Sequence, residues 1–166
     1  MVHNENTRGP SSVWHDWNEL PDVYVRLPKD DEGYPPKDWE QLKAEPTDVA
    51  GVYRLRNTPF YARGLATGDE VATGTSSEGY YPVIQSVVRR SGYSTIRLLI
   101  SGDENRRALI DYFVAHGCSL EFCREVKSLV AIAIPKTFLD EVACYILSEK
   151  EKGRWGAEDG YIADDE

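Results

Sequence analysis

His116, Cys118 and Cys123 bring an imidazole and two thiols close together in the chain, the residue types that bind zinc when four ligands converge. Only three are present, no second matching pair follows, and Cys118 and Cys123 lie an odd number of residues apart. On an unbulged strand they point to opposite faces. The pattern therefore predicts buried structural thiols and no metal. His116 falls at the end of a predicted helix, where an imidazolium favours the negative dipole end. The remaining histidines, His3 and His15, belong to a polar lead-in.

Two other stretches could bind an anion. GLATGDEVATGTSSEG, residues 64–79, is rich in glycine and hydroxyls, as phosphate cradles are. Strand-like DEVA and YYPVI follow its glycines where a cradle needs a helix N-terminus, and no lysine occurs between Lys43 and Lys127. It reads as a hairpin with a polar TSSE tip. RRSGYST, residues 89–95, offers Arg89, Arg90, Ser91 and Thr95 as a candidate anion or ligand site. It has no adjacent histidine to activate a hydroxyl, and Gly92 marks a turn or bulge. The carboxylate pairs Asp30–Asp31, Glu158–Asp159 and Asp164–Asp165 lie in loops or the tail, where charge is normally solvated. No acid and base pair stands out, so the expectation is a protein that is not an enzyme and uses no cofactor.

Charge narrows the partners. The 166 residues carry a net charge of −9, and residues 149–166 hold seven acidic against three basic side chains. Nucleic acid would be repelled, since its binding comes largely from Lys and Arg displacing counterions. A basic protein would be attracted. No apolar run is long enough for a membrane-spanning helix, and MVHNENTRGPSS lacks the basic and apolar regions of a secretory signal. Three cysteines are too few for a disulfide framework. The expectation is a cytoplasmic protein.

The elements that must position these residues fall into a lead-in (1–20), a small β-rich part (21–93), a second part (94–162) and an acidic tail (163–166). Trp14 and Trp17 of the lead-in could dock onto the body. DVYVRLP, GVYRLRN and GYYPVIQSVVRR alternate as half-buried strands do, separated by Gly and Pro turns, which predicts a strongly bent sheet or barrel. In the second part STIRLLI is apolar on both faces and reads as a central strand. SGDE, with Ser101 and Glu104, reads as a capping box opening a helix striped by Leu109, Ile110, Phe113 and Val114 and stopped at Gly117. CSLEFCREV, with Leu120, Phe122 and Val126 in phase, and LVAIAIP follow as strands. Thr137 is the expected cap of a second helix, with Leu139, Val142, Ala143, Ile146 and Leu147 on its inner face, and GYI (160–162) is the last strand. Strand, helix, strand, strand, helix, strand is the order of a ferredoxin-like βαββαβ half, so the predicted class is α+β with the bent sheet packed on that half.

YPP (34–36), Ala44-Glu45-Pro46, the Tyr53–Gly64 stretch, GD (68–69) and RSG-ST (90–95) together resemble the bacterial domain-of-unknown-function family 4265. The resemblance implies a standalone domain and no established reaction, and such chains are similar in style to small acidic proteins that accompany bacterial toxins. The resulting expectation is a protein-binding, immunity-type inhibitor of a basic toxin. Aromatic anchors would be Tyr34, Trp39, Tyr80, Tyr81, Trp155 and Tyr161, beside Asp31, Glu32, Glu158, Asp159, Asp164 and Asp165. The alternative is a small-molecule or anion sensor using the open sheet face, with Arg89, Arg90, Ser91 and Thr95 at the ligand.

Overall fold

The computed structural model describes residues 19–77, 79, 81–102 and 104–163. His3, His15, Trp14, Trp17, Tyr80, Asp164 and Asp165 lie outside them. Five strands, β1 (Asp22–Arg26), β2 (Trp39–Pro46), β3 (Val52–Leu55), β4 (Glu70–Thr75) and β5 (Pro82–Arg89), close into a barrel. Consecutive strands pair antiparallel, and a parallel contact of β1 with β5 at Tyr24 and Val83 completes the circle. Inward positions alternate along each strand, so Val23, Leu42, Ala44, Leu55 and Val71 fill the interior. The glycine-rich stretch comprises the approach to β4, β4 itself and the start of the turn into β5. Gly68 within it has φ +84°, and a Cβ there would lie 2.9 Å from the Ser91 Cβ, so both backbone and space require glycine.

β2 is the strand that alternation did not reveal. Its buried positions are Glu40, Leu42 and Ala44, and Trp39 faces out. A carboxylate inside and an indole outside invert the usual polarity, so period-two reading fails there.

The second sheet comprises β6 (Ser94–Ile100), β7 (Ser119–Phe122), β8 (Leu129–Ile134) and β9 (Trp155–Tyr161) in the spatial order β7-β8-β6-β9, every neighbour antiparallel. Helices α1 (Arg106–Ala115) and α2 (Leu139–Glu151) pack on one face through Leu109, Phe113, Val142 and Ile146 against Ile96, Leu98, Leu120, Val130 and Ile132. The chain is thus α+β. The barrel core continues into this half, because Cys123 and Leu129 join the cluster containing Val23 and Leu42.

Local details depart from the expected ones. Asn105, not Ser101, caps α1, its side chain accepting from the Ala108 N–H at 3.1 Å. An Asn immediately before the helix outcompetes the upstream box, and the Glu104 carboxylate instead accepts from Trp155 Nε1 at 2.9 Å. Thr137 lies in a 3₁₀ turn, Lys136–Phe138, and α2 starts without a side-chain cap, with Asp140 and Glu141 in its first turn favouring the dipole. The inner face of α2 is Val142, Ile146 and Glu149, while Leu147 is 54% exposed. Burial of Glu149 rotates the stripe: its carboxylate pairs with Lys152 and Arg154 at 3.1 and 2.7 Å. Val126 lies in the β7–β8 turn, and β9 begins at Trp155, before GYI.

His116 follows α1, with Nδ1 2.7 Å from the Tyr112 carbonyl and Nε2 3.1 Å from Glu141 Oε1. The Tyr112 carbonyl, helped by Glu141 and opposed by burial, raises its pKa. A raised folded pKa contributes stability that is fully present below the unfolded value of about 6.5 and is lost as pH rises through the folded pKa. The expected result is that His116→Gln lowers the urea midpoint more at pH 5.5 than at pH 8.5. An equal loss at both would show that the ring acts only by packing on Tyr112 and Phe138, 4.4 and 5.7 Å away between centroids.

Candidate functional site

β6 divides the second half chemically. Ile96, Leu98 and Ile100 face the helices, which leaves Thr95, Arg97 and Leu99 on the opposite face. Across the ladders Arg97 sits beside Ala131 of β8 and Glu158 of β9, and Leu99 beside Leu129 and Gly156. Among the described residues no helix packs on this face. Part of it is covered by residues 58–66 of the barrel, and the remainder is open.

The covering segment is anchored from both sides. Glu40 of β2 accepts from the N–H groups of Phe60, Tyr61 and Ala62 at 2.5, 2.9 and 2.8 Å, and Glu121 of β7 accepts from the Thr58 N–H at 2.5 Å. Thr95 donates to the Leu65 carbonyl at 2.9 Å, Arg97 donates through Nη1 to the Ala62 carbonyl at 2.8 Å, and the Gly64 N–H meets the Gly160 carbonyl at 2.9 Å. The approach at Gly160 is close, since a Cβ there would lie 2.8 Å from Thr95 Cγ2. These bonds satisfy a loop that would otherwise bury unpaired backbone polar groups.

A third segment, the β1–β2 loop, stands across from the open sheet. Asp30 shapes it by accepting from the N–H groups of Glu32 and Tyr34 at 3.0 and 2.8 Å, and Lys29 donates to the Pro35 and Lys37 carbonyls. The Tyr34–Pro35 peptide is cis. Tyr34 meets Tyr61 edge to face with centroids 6.2 Å apart, and Lys37 pairs with Glu125 of the β7–β8 turn at 2.5 Å. Between this loop and the sheet lies a cleft of about 580 Å³. Tyr34, Pro36, Tyr61, Val126 and Leu129 supply its apolar walls, and Leu99, Gly156 and Ala157 the strand side. Its charges are Arg97, Lys150, Glu32 and Glu158. The volume suits a small organic molecule.

Arg97 is 2% exposed. Its Nη2 reaches Glu158 Oε1 at 3.2 Å, the same oxygen that accepts from Arg63 Nη2 at 2.8 Å. Its Nε has no hydrogen-bond partner among the described residues. Burial, followed by the charge of Glu158, raises the Tyr34 pKa, and burial pushes Tyr61 up to about 12. Both phenols therefore remain O–H donors at neutral pH.

Three of the expected partner residues, Glu32, Tyr34 and Glu158, are brought together at this cleft. Asp31 and Asp159 are exposed, and Trp39, 43% exposed, lies under Arg26 at 5.9 Å. Tyr81 packs on Tyr24 at the barrel, centroids 5.0 Å apart. Trp155 is no surface anchor: it is 5% exposed, packed on Phe113 and Tyr145 in the helix-side core. The candidate anion residues do not form an open site either. Arg89 pairs with Glu70 at 2.5 Å, and Arg54, together with Arg89, holds that carboxylate below the usual range. Arg90 pairs with the buried Asp69 at 2.9 Å and stacks on Tyr161 at 3.9 Å. The Ser91 N–H also goes to Asp69, and Thr95 is fully buried. These residues join barrel to sheet.

Cys118 and Cys123 belong to the helix-side and barrel-side cores respectively, and burial pushes the Cys118 thiol up to about 12, which makes it unreactive. Among the described residues no group of three or more His, Cys, Asp or Glu side chains could hold a metal ion. No helix among them is long and apolar enough to cross a membrane.

Sequence reasoning missed Arg97, Tyr61 and Leu99. A signal for Arg97 existed: a charged residue inside STIRLLI, a strand apolar on both faces, must be buried and paired if the strand is central.

Comparison with curated proteins finds no match. Among solved structures, one described as a novel crystal structure of a hypothetical protein from Neisseria gonorrhoeae superposes with a TM-score of 0.72 at 16% identity, covering 88% of this chain and 97% of that one. That likeness shows a shared fold alone. The family model for a domain of unknown function, DUF4265, matches residues 40–157, which run from the buried Glu40 to the strand that borders the cleft. The chain belongs to the DUF4265 family.

Proposed function

We propose that this protein is a non-catalytic binding module that takes a small organic molecule in the cleft between the β1–β2 loop and the helix-free sheet face. The observation that carries the reading is an apolar-walled cleft of about 580 Å³ with a buried arginine at its floor. The strand order β7-β8-β6-β9 with both helices on one face supports reading the second half as ferredoxin-like, and such a half leaves one sheet face available. The three free cysteines suit a cytoplasmic location.

Leu99 is 54% exposed and lines the cleft, so Leu99→Trp should fill it with a stability change within about 0.5 kcal/mol. Ligand-observed NMR with a library of small aromatic and aliphatic compounds is expected to give binders to the wild type that the variant loses. Binders that persist with Leu99→Trp, or none at millimolar concentration, would refute the cleft as the site.

A second reading, an immunity-type inhibitor of a basic toxin, is favoured by the net charge of −9 and by Glu32, Tyr34 and Glu158 lining one cleft. A basic side chain of the toxin would then enter the cleft. Rescue of cells from a toxin encoded beside this chain, abolished by Glu32→Lys, would support it; absence of rescue would remove it.

A further inference from the structure

We infer that the cleft selects a monocarboxylate with a flat apolar body, whose carboxylate takes the place of Glu158 on Arg97. This rests on the reading of the cleft as a small-molecule site and names the ligand chemistry.

Arginine presents N–H groups in a planar fork that matches a carboxylate edge. At Arg97 the fork is half used: Nη1 is committed to the Ala62 carbonyl, Nη2 holds Glu158 at the long distance of 3.2 Å, and Nε–H has no acceptor. A buried donor without a partner is costly, and an incoming carboxylate bridging Nη2 and Nε would remove that cost. Glu158 is free to yield the position. It is bound more closely to Arg63, at 2.8 Å, and the Arg63 side chain is 73% exposed, so the pair can turn together toward water.

The charge count agrees. At the floor one carboxylate, Glu158, faces the two guanidinium groups of Arg97 and Arg63, while Lys150 and Glu32, both exposed, offset each other. A single negative charge offsets the excess, and a dianion would have to bury a second charge without a partner. The walls define the rest of the molecule. Tyr34 and Tyr61 present rings, and Leu99, Val126 and Leu129 present aliphatic surface, which suits a flat hydrocarbon body.

The test uses three probes of one shape, 2-naphthoate, 2-naphthylmethanol and 2-naphthylmethylammonium, titrated into the full chain at pH 7 and followed by amide NMR shifts. The expected result is that the carboxylate binds about tenfold tighter than the alcohol, the scale of one charge-assisted hydrogen bond. Glu158→Gln should tighten naphthoate about threefold or more relative to the alcohol, a modest gain because only a competing charge is removed. Arg97→Met should abolish the preference, and if that variant does not fold, the gain with Glu158→Gln still decides. Equal binding of carboxylate and alcohol, a preference for the ammonium, or no gain with Glu158→Gln would overturn the carboxylate assignment while the cleft reading stands. Failure of all three probes to shift any amide lining the cleft would overturn the cleft reading and this inference with it.

Discussion

Asp69→Ala is expected to lower the free energy of unfolding by about 3–5 kcal/mol, the loss that follows when a buried, hydrogen-bonded charge partner is removed. Asp69 is fully buried. Its Oδ2 accepts from the Ala66 N–H at 3.0 Å and from Arg90 Nη1 at 2.9 Å, and its Oδ1 accepts from the Ser91 N–H at 2.9 Å. Alanine would leave two backbone donors without an acceptor, each costing about 1–3 kcal/mol. The Arg90 side chain is 41% exposed, so water replaces much of its share. Because Arg90 and Ser91 connect β5 to β6, the damage should centre on the joint between barrel and sheet. Urea denaturation measures the loss, and amide exchange locates it. A loss below about 1 kcal/mol would mean that the joint is held by packing instead.

Glu40→Ala should cost a similar amount, about 3–5 kcal/mol, because three buried N–H groups lose their acceptor, and should in addition weaken binding in the cleft. This carboxylate, 7% exposed, receives three successive backbone N–H groups, of Phe60, Tyr61 and Ala62. Tyr61 forms a wall of the cleft, and the Ala62 carbonyl fixes Arg97. Once those donors lose their acceptor the segment is held from the sheet side alone, through Thr58, Ala62, Gly64 and Leu65, so the wall and the arginine should shift together. Glu40→Gln retains a single acceptor oxygen and is expected to be intermediate in stability. The check is the urea midpoint combined with naphthoate titration. A variant that loses stability but keeps full affinity would show that Tyr61 is positioned by its own packing.

How far the sequence foretold this arrangement depends on how local each feature is. β1, β3, β6 and β8 could be read because a two-residue alternation, or a strand apolar on both faces, is a local consequence of what each strand packs against. The turn between β4 and β5 could be read from its glycines and hydroxyls. β2 could not, because its inward Glu40 serves a segment twenty residues away in the chain. Trp155 illustrates the same limit from the other side. In isolation an indole in an acidic stretch suggests a contact surface, yet β9 aligns it with Ile100 and its N–H finds Glu104. The cleft draws on the β1–β2 loop, the 58–66 segment, β6 and β9, and no spacing within any one of them announces it. Glu32, Tyr34 and Glu158 stand out in the sequence as charged or aromatic residues, and tertiary packing gives them a common place.

Residues 58–66 touch barrel and sheet at once and leave neither free to slide. A molecule taken by the cleft would therefore meet a wall already in place on this side. The β1–β2 loop opposite is tied to the β7–β8 turn by the exposed Lys37–Glu125 ion pair, a weak tether, so raising the ionic strength should loosen that wall and shorten the occupancy.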